Sequence, residues 1–224
     1  MNAQEDVAVR MEIPPGLVRA QALARTVVAE IEPFVQVGVT EIELDDHVTR
    51  IALAHGSTGF WSPSTTRVGL GTLVAHPDFP MQDRPAEAGD TVIVDIACSL
   101  DGWCGDHCTT FTLEAAPETV ALVDECRWVY DRLLEEVRPG RPACELYEYG
   151  AALLHGRNLK LLDLLDNFGH SIGQEFAADG FIDATNSTPM WGGWTLEPHV
   201  GRHSRGAKFE EIVWLAPDGS VTVV

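Results

Sequence analysis

Positive charge is scarce in this sequence. Its 224 residues include 15 Lys and Arg against 34 Asp and Glu, which gives a formal net charge of −19 at pH 7. A surface this negative repels phosphate backbones and anionic lipid head groups, which argues against nucleic-acid binding and membrane-surface binding. Long apolar runs are lacking as well, because no stretch approaches the 18 or more apolar residues of a membrane-spanning helix.

Cysteine is also sparse, and its count is odd. Five cysteines in a chain long enough to fold without covalent cross-links favour reduced thiols over a disulfide framework. The opening residues, Met1 to Asp6, are acidic where a secretory signal peptide would be basic, so we expect a cytoplasmic protein. With 45% hydrophobic residues, we expect one domain over residues 15–224, preceded by a loose arm over residues 1–14.

Helix signals occupy two parts of the chain. Apolar residues at helical spacing predict a first helix from Pro15 to about Pro33. Thr40 followed by Glu43 predicts a capping box that starts a second helix, which runs to about His55. Similar periodicity predicts two later helices, over residues 117–137 and 144–154.

Strand signals lie between and after these later helices. A β-branched segment at 91–98, an Asp101-Gly102 turn and a strand-like segment at 103–113 predict a hairpin. Near the end of the chain, the pattern predicts strands at residues 194–200, 207–215 and 221–224. This order of elements predicts an α+β domain in which helices cover an antiparallel sheet.

Two carboxylates on the predicted hairpin are chemically unusual. Asp95 interrupts an otherwise apolar strand, where an ionised carboxylate is costly to bury without a cation or a hydrogen-bonding partner. Asp106 follows eleven residues later across the turn, so a hairpin can bring both to one face. Two carboxylates that close repel each other unless a metal or a shared proton holds them, which favours a divalent ion.

Three further residues in the second half fit the same chemistry. His170 is flanked by glycines that let the backbone crowd a site, and Glu197 and Glu210 are lone acids in apolar strand segments. Four carboxylates and one imidazole suit Mn²⁺, Fe²⁺, Co²⁺ or Zn²⁺, and four carboxylates can bridge two ions.

The order of these motifs resembles the pita-bread metallohydrolases, the superfamily of methionine aminopeptidase, proline dipeptidase, aminopeptidase P and creatinase. The motifs that carry the resemblance are Asp95, Asp106, Gly169-His170-Ser171-Ile172-Gly173, Glu197-Pro198 and Phe209-Glu210-Glu211. The resemblance covers residues 15 to 224. It implies the pita-bread fold in the form of a catalytic domain alone, without the long N-terminal domain of the larger proline-specific members.

The resemblance also implies a role for each residue. Two divalent ions would be bridged by Asp106 and Glu210, with Asp95 chelating one ion and His170 and Glu197 holding the other. His76 would steady a tetrahedral intermediate and Glu197 would shuttle a proton. In chain order, the residues with an implied role are His76, Asp95, Asp106, His170, Glu197 and Glu210. Together they would hydrolyse an amide or peptide C–N bond of a small molecule or short peptide.

Departures from the family pattern point to a specialised substrate. The peptidases usually carry a second histidine about seven residues after the first, and Ala177 stands there in this chain. His199 lies two residues after Glu197, on the same face of a strand, and could replace it. Two alternatives therefore stay open beside the hydrolase: a repurposed enzyme of small-metabolite or natural-product chemistry, and a non-catalytic binding module. The sequence also leaves the oligomeric state open, with a homodimer as one alternative.

Overall fold

The computed structural model of this protein describes residues 12–114 and 116–224. Almost all of the predicted arm over residues 1–14 lies outside the described residues, so that part of the domain assignment stays a prediction. The described chain combines helices with antiparallel sheets, which confirms the α+β prediction. Among the described residues, no helix has both the length and the hydropathy to cross a membrane.

The two N-terminal helices form as the sequence predicts. Helix α1 spans Pro15–Ile31, with proline in its first turn, and a short 3₁₀ turn over Glu32–Phe34 follows it. Helix α2 spans Glu41–Ala54 and starts with the predicted capping box, in which Thr40 and Glu43 each satisfy the other's backbone N–H. Both helices pack against the central hairpin through a shared apolar core.

That hairpin is the scaffold of the first half of the chain. Strand β3 (Thr91–Leu100) pairs with β4 (Trp103–Thr112) along its whole length. The opposite edge of β3 pairs with two short strands, β1 (Gly59–Phe60) and β2 (Thr65–Val68). A 3₁₀ turn over Gly69–Val74 follows β2.

In the second half, the described residues form two helices and eight strands. Helices α3 (Pro117–Glu136) and α4 (Ala143–Arg157) pack on the later strands around a second large core. The strands are β5 (Lys160–Leu161), β6 (His170–Ile172), β7 (Phe176–Phe181), β8 (Gly192–Leu196), β9 (His199–Arg202), β10 (Arg205–Lys208), β11 (Glu211–Leu215) and β12 (Val221–Val223). They form a five-stranded sheet in the order β12-β11-β8-β6-β7 and a three-stranded sheet in the order β10-β9-β5.

The C-terminal strands are shorter than the sequence predicts. The predicted strand at 194–200 divides into β8 and β9, because Glu197-Pro198 interrupts the ladder and proline has no N–H to donate. The predicted strand at 207–215 divides into β10 and β11 around Phe209-Glu210. Each break places a candidate glutamate where one sheet ends and another begins.

Candidate metal centre

The hairpin register brings Asp95 and Asp106 together. Asp95 lies opposite Cys108 and Asp106 lies opposite Ala97, so the two carboxylates are diagonal neighbours on one face. Both residues are buried. The predicted pairing of these two acids across the turn is therefore the arrangement found in the structure.

Glu210 joins them from the other half of the molecule. Its backbone pairs with Cys108 of β4 through two N–H···O contacts, of 3.1 and 3.4 Å, which connects the hairpin to the C-terminal strands. The side chain is 1% exposed, and neither carboxylate oxygen accepts a hydrogen bond of good geometry from the described residues. A buried carboxylate without hydrogen bonds is expected where a cation normally compensates the charge.

His170 and Glu197 are positioned through Thr195. The Thr195 hydroxyl accepts the backbone N–H of His170 at 3.0 Å and lies 3.4 Å from Glu197 Oε1, to which it donates. His170 Nδ1 donates to the Ser171 carbonyl at 3.1 Å, which leaves the Nε2 lone pair facing the carboxylates. Metal-binding histidines are commonly oriented by such a hydrogen bond at the second ring nitrogen. His170 Nε2 lies 3.3 Å from Asp106 Oδ2 and 3.5 Å from Glu197 Oε1.

Three of these residues can hold one ion together. Asp106, His170 and Glu210 are all buried, and each offers one ligand atom within 4.8 Å of the other two. Two carboxylates and an imidazole suit divalent first-row metals. The donor set, together with a Glu210 Oε1 that has no hydrogen-bond partner among the described residues, therefore fits a divalent ion.

The sequence analysis missed Lys208, which lies among the same carboxylates. Its Nζ is 2.7 Å from Asp95 Oδ2, 2.8 Å from Glu197 Oε2 and 3.1 Å from Glu210 Oε2. The sequence offers one signal, since Lys208 is one of only two lysines in the chain and lies two residues before Glu210. The resemblance implies that Asp95 chelates one of two ions, and in the structure the Lys208 ammonium contacts that carboxylate.

The charged groups of this cluster shift one another's pKa values. Burial, followed by the neighbouring carboxylates, raises the pKa of Asp106 and the pKa of Glu210 well above their usual values. Burial by itself would raise the pKa of Glu197. The favourable charge of the neighbouring Lys208 ammonium is the largest opposing effect, and the net result is a lowered pKa. Burial would lower the pKa of Lys208, but the surrounding carboxylates outweigh it and raise that pKa well above the usual value. Lys208 is therefore a cation and Glu197 an anion at neutral pH.

A cavity of about 110 Å³ opens onto the cluster, and His76 lines it. His76 Nδ1 accepts the backbone N–H of Asp78 at 3.2 Å, which leaves the proton on Nε2. An aromatic wall stands beside His170, where Phe176 stacks on Trp61 with ring centroids 4.9 Å apart.

Asp163 is a second cavity residue that the sequence analysis did not single out. Its Oδ1 accepts N–H bonds from Leu165 at 2.8 Å and from the Asn167 side chain at 2.7 Å. Burial, followed by the charge of Glu197, raises the pKa of Asp163 to about 6. No local pattern in the sequence distinguishes it from the other loop acids nearby.

His199 lies apart from the lining of this cavity. Its Nε2 donates to the Thr72 carbonyl at 2.8 Å, and the residue is 1% exposed. Burial lowers the pKa of His199 to about 4, so the ring is neutral at pH 7. Ala177, which stands where the family usually has histidine, adopts a positive φ of 50° on β7 and is also outside the lining. The structure thus supplies His199 with a backbone partner rather than a position on the cavity wall.

Comparison with known proteins gives one family match. The model of metallopeptidase family M24 matches residues 16–217. Methionine aminopeptidase A of Synechocystis is 26% identical over 202 residues, covering 85% of this chain and 70% of that protein. The mitochondrial methionine aminopeptidase 1D of Danio rerio is 28% identical over 216 residues, covering 90% of this chain and 62% of that protein.

Solved structures show the same fold. The X-Pro aminopeptidase of Thermotoga maritima aligns with a TM-score of 0.83 at 19% identity, over 99% of this chain and 64% of that one. The prolidase of Pyrococcus furiosus aligns with a TM-score of 0.83 at 17% identity, over 98% of this chain and 66% of that one. The chain thus spans about two thirds of the length of these structures, and the likeness confirms the predicted pita-bread fold.

Proposed function

The chain belongs to metallopeptidase family M24, and from that premise we propose that it is a metal-dependent hydrolase that cleaves a peptide or amide C–N bond in a small substrate. The observation that carries the proposal is the buried cluster of Asp106, His170 and Glu210, which opens onto a cavity of about 110 Å³. A divalent ion held there would polarise a substrate carbonyl and lower the pKa of water.

Two side chains are suited to the proton and charge movements of such a hydrolysis. Glu197 lines the cavity as a carboxylate, because the adjacent Lys208 ammonium lowers its pKa, so it can accept a proton from water. His76 also lines the cavity, and its Nε2–H is a donor for an oxygen that gains negative charge during attack on a carbonyl. These are the roles that the sequence resemblance implies for both residues.

The walls of the cavity limit the size of the substrate. Trp61 and Phe176 form a stacked aromatic wall, and the cavity volume of about 110 Å³ is small beside the roughly 300–1,000 Å³ of typical ligand pockets. A dipeptide or a compact amide with an apolar side chain suits this space better than a long peptide.

A specific observation also favours the second candidate, a catalyst of small-metabolite chemistry. Lys208 places a positive charge next to the reaction site, and the family's second histidine is replaced by Ala177. Both differences change the groups available to a peptide substrate, so the substrate is proposed to be a small amide rather than a protein N-terminus.

A substrate screen tests the function. Protein loaded with Mn²⁺, Fe²⁺, Co²⁺ or Zn²⁺ is incubated with Met-x dipeptides, x-Pro dipeptides and small amides, and the products are measured by mass spectrometry. We expect cleavage that requires the metal, is abolished in Glu210→Gln and survives in Glu175→Gln, an exposed glutamate outside the cavity. Absence of cleavage across the whole panel, with metal bound, contradicts a hydrolase and supports the binding-module alternative.

A further inference from the structure

We propose that the Lys208 ammonium takes the place of a second metal ion, so that this centre binds one divalent ion, through Asp106, His170 and Glu210. The inference rests on the metal binding proposed above and specifies its stoichiometry. It replaces the two-ion site that the sequence resemblance implies.

The contacts of Lys208 match those of a resident cation. An ammonium group has three N–H donors, and Nζ has three carboxylate oxygens at 2.7, 2.8 and 3.1 Å, one each from Asp95, Glu197 and Glu210. The side chain of Lys208 is 8% exposed, and those of its three partners are between 1% and 12% exposed. The three acids converge on one charged atom among buried side chains, as they would on an ion.

A second ion and this ammonium group exclude each other. Carboxylate oxygens bind divalent metals at about 2.0–2.6 Å, so an ion shared by the three acids would overlap Nζ. Asp95 therefore has its charge compensated by Lys208 and is not needed as a metal ligand.

The backbone holds Lys208 in this position. Its N–H donates to the Thr110 hydroxyl at 2.8 Å, and that hydroxyl donates to the Lys208 carbonyl at 2.7 Å. On the other side, Lys208 pairs with His199 in the ladder between β9 and β10. Withdrawing the side chain would leave three buried carboxylates without their cation, which is strongly unfavourable.

The remaining part of the cluster keeps the features of a metal site. Lys208 contacts Oε2 of Glu210 and leaves Oε1 without a partner among the described residues. The Nε2 of His170 lies 3.3 Å from Asp106 Oδ2, whereas the ion pairs of the ammonium described above are with Asp95, Glu197 and Glu210. One ion thus has a complete set of protein ligands beside the lysine.

Metal stoichiometry tests the inference directly. Lys208 and Lys160 are the only lysines in the sequence, and Lys160 is exposed on β5, so it provides a matched control. Each protein is saturated with Mn²⁺, freed of unbound metal and analysed for manganese per chain. We expect one ion in the wild type and in Lys160→Ala, and two ions in Lys208→Ala, a twofold rise.

Electron paramagnetic resonance supplies a readout independent of activity. A single Mn²⁺ gives an uncoupled six-line spectrum, whereas two ions about 3.5–4 Å apart are magnetically coupled. We expect the uncoupled spectrum in the wild type and the coupled one in Lys208→Ala. Lys208→Gln, which is neutral but larger than alanine, serves as a second variant. If neither variant folds, the manganese content per chain and the spectrum of the wild type decide whether one or two ions bind.

The outcomes separate this inference from the proposed function. Two ions in the wild type, or one ion in both the wild type and the folded Lys208 variants, would overturn the replacement of an ion by lysine while leaving a metal-dependent hydrolase intact. No bound manganese in any of the proteins would overturn both proposals.

Discussion

Gly169, the residue before His170, has no room for a side chain. A Cβ added there would lie 2.1 Å from the Thr195 carbonyl oxygen, and the φ of 144° is one that other residues rarely adopt. Thr195 also holds His170 and Glu197, so a shift of this strand would move both from their positions. Gly173, at the other end of the same motif, has nothing within 4 Å of an added Cβ and is the matched control.

Two separate effects set the loss of stability expected for Gly169→Ala. Forcing an extra carbon into a packed site costs about 1–3 kcal/mol, and a strained backbone conformation costs about 1–3 kcal/mol more. We therefore expect Gly169→Ala to lower the free energy of unfolding by about 2–6 kcal/mol and to weaken Mn²⁺ binding. Gly173→Ala should change the free energy of unfolding by less than about 0.5 kcal/mol.

Urea denaturation of the metal-free proteins, monitored by tryptophan fluorescence, measures the differences in free energy of unfolding. A Mn²⁺ titration of each variant measures its metal affinity. Equal stability of Gly169→Ala and the wild type would refute the steric argument. A loss in Gly173→Ala as large as that in Gly169→Ala would refute it as well, because the open position would then be as sensitive as the crowded one.

Three further predictions concern single side chains. Asp106→Ala should abolish metal uptake, measured by elemental analysis, and retention of stoichiometric metal would contradict its assignment as a ligand. Thr40→Ala removes one half of the capping box of α2 and should lower the free energy of unfolding, measured by urea denaturation, by about 1 kcal/mol. An unchanged urea midpoint would contradict the capping role. Burial lowers the pKa of His199 to about 4, below the unfolded value of about 6.5. Between these two values the unfolded chain binds a proton that the folded protein does not. The free energy of unfolding is therefore highest above pH 6.5 and falls by roughly 3 kcal/mol as the pH drops from 6.5 to 4. His199→Gln should flatten the dependence of unfolding free energy on pH across this interval, and an unchanged slope would contradict the assignment.

Local patterns were sufficient for most of the helices and for the hairpin. The apolar spacing of α1, the Thr40 and Glu43 pair and the Asp101-Gly102 turn are each contained within a few residues, so their consequences can be predicted without tertiary contacts. The C-terminal strands were predicted less well. Their ends depend on which sheet each segment joins, and β8 and β9 belong to different sheets although only two residues separate them.

The sequence by itself determined the family pattern and the four acids and one histidine that the structure brings near one another, because each belongs to a motif of a few contiguous residues. Only the tertiary structure decided what compensates their charges. Lys208 reaches Asp95 across 113 residues of sequence, where the hairpin meets the C-terminal sheets. No local pattern predicts a contact of that range, because it is set by the packing of sheets whose relative positions depend on the whole core. The same packing directs His199 to the Thr72 carbonyl, which lies 127 residues away in the sequence.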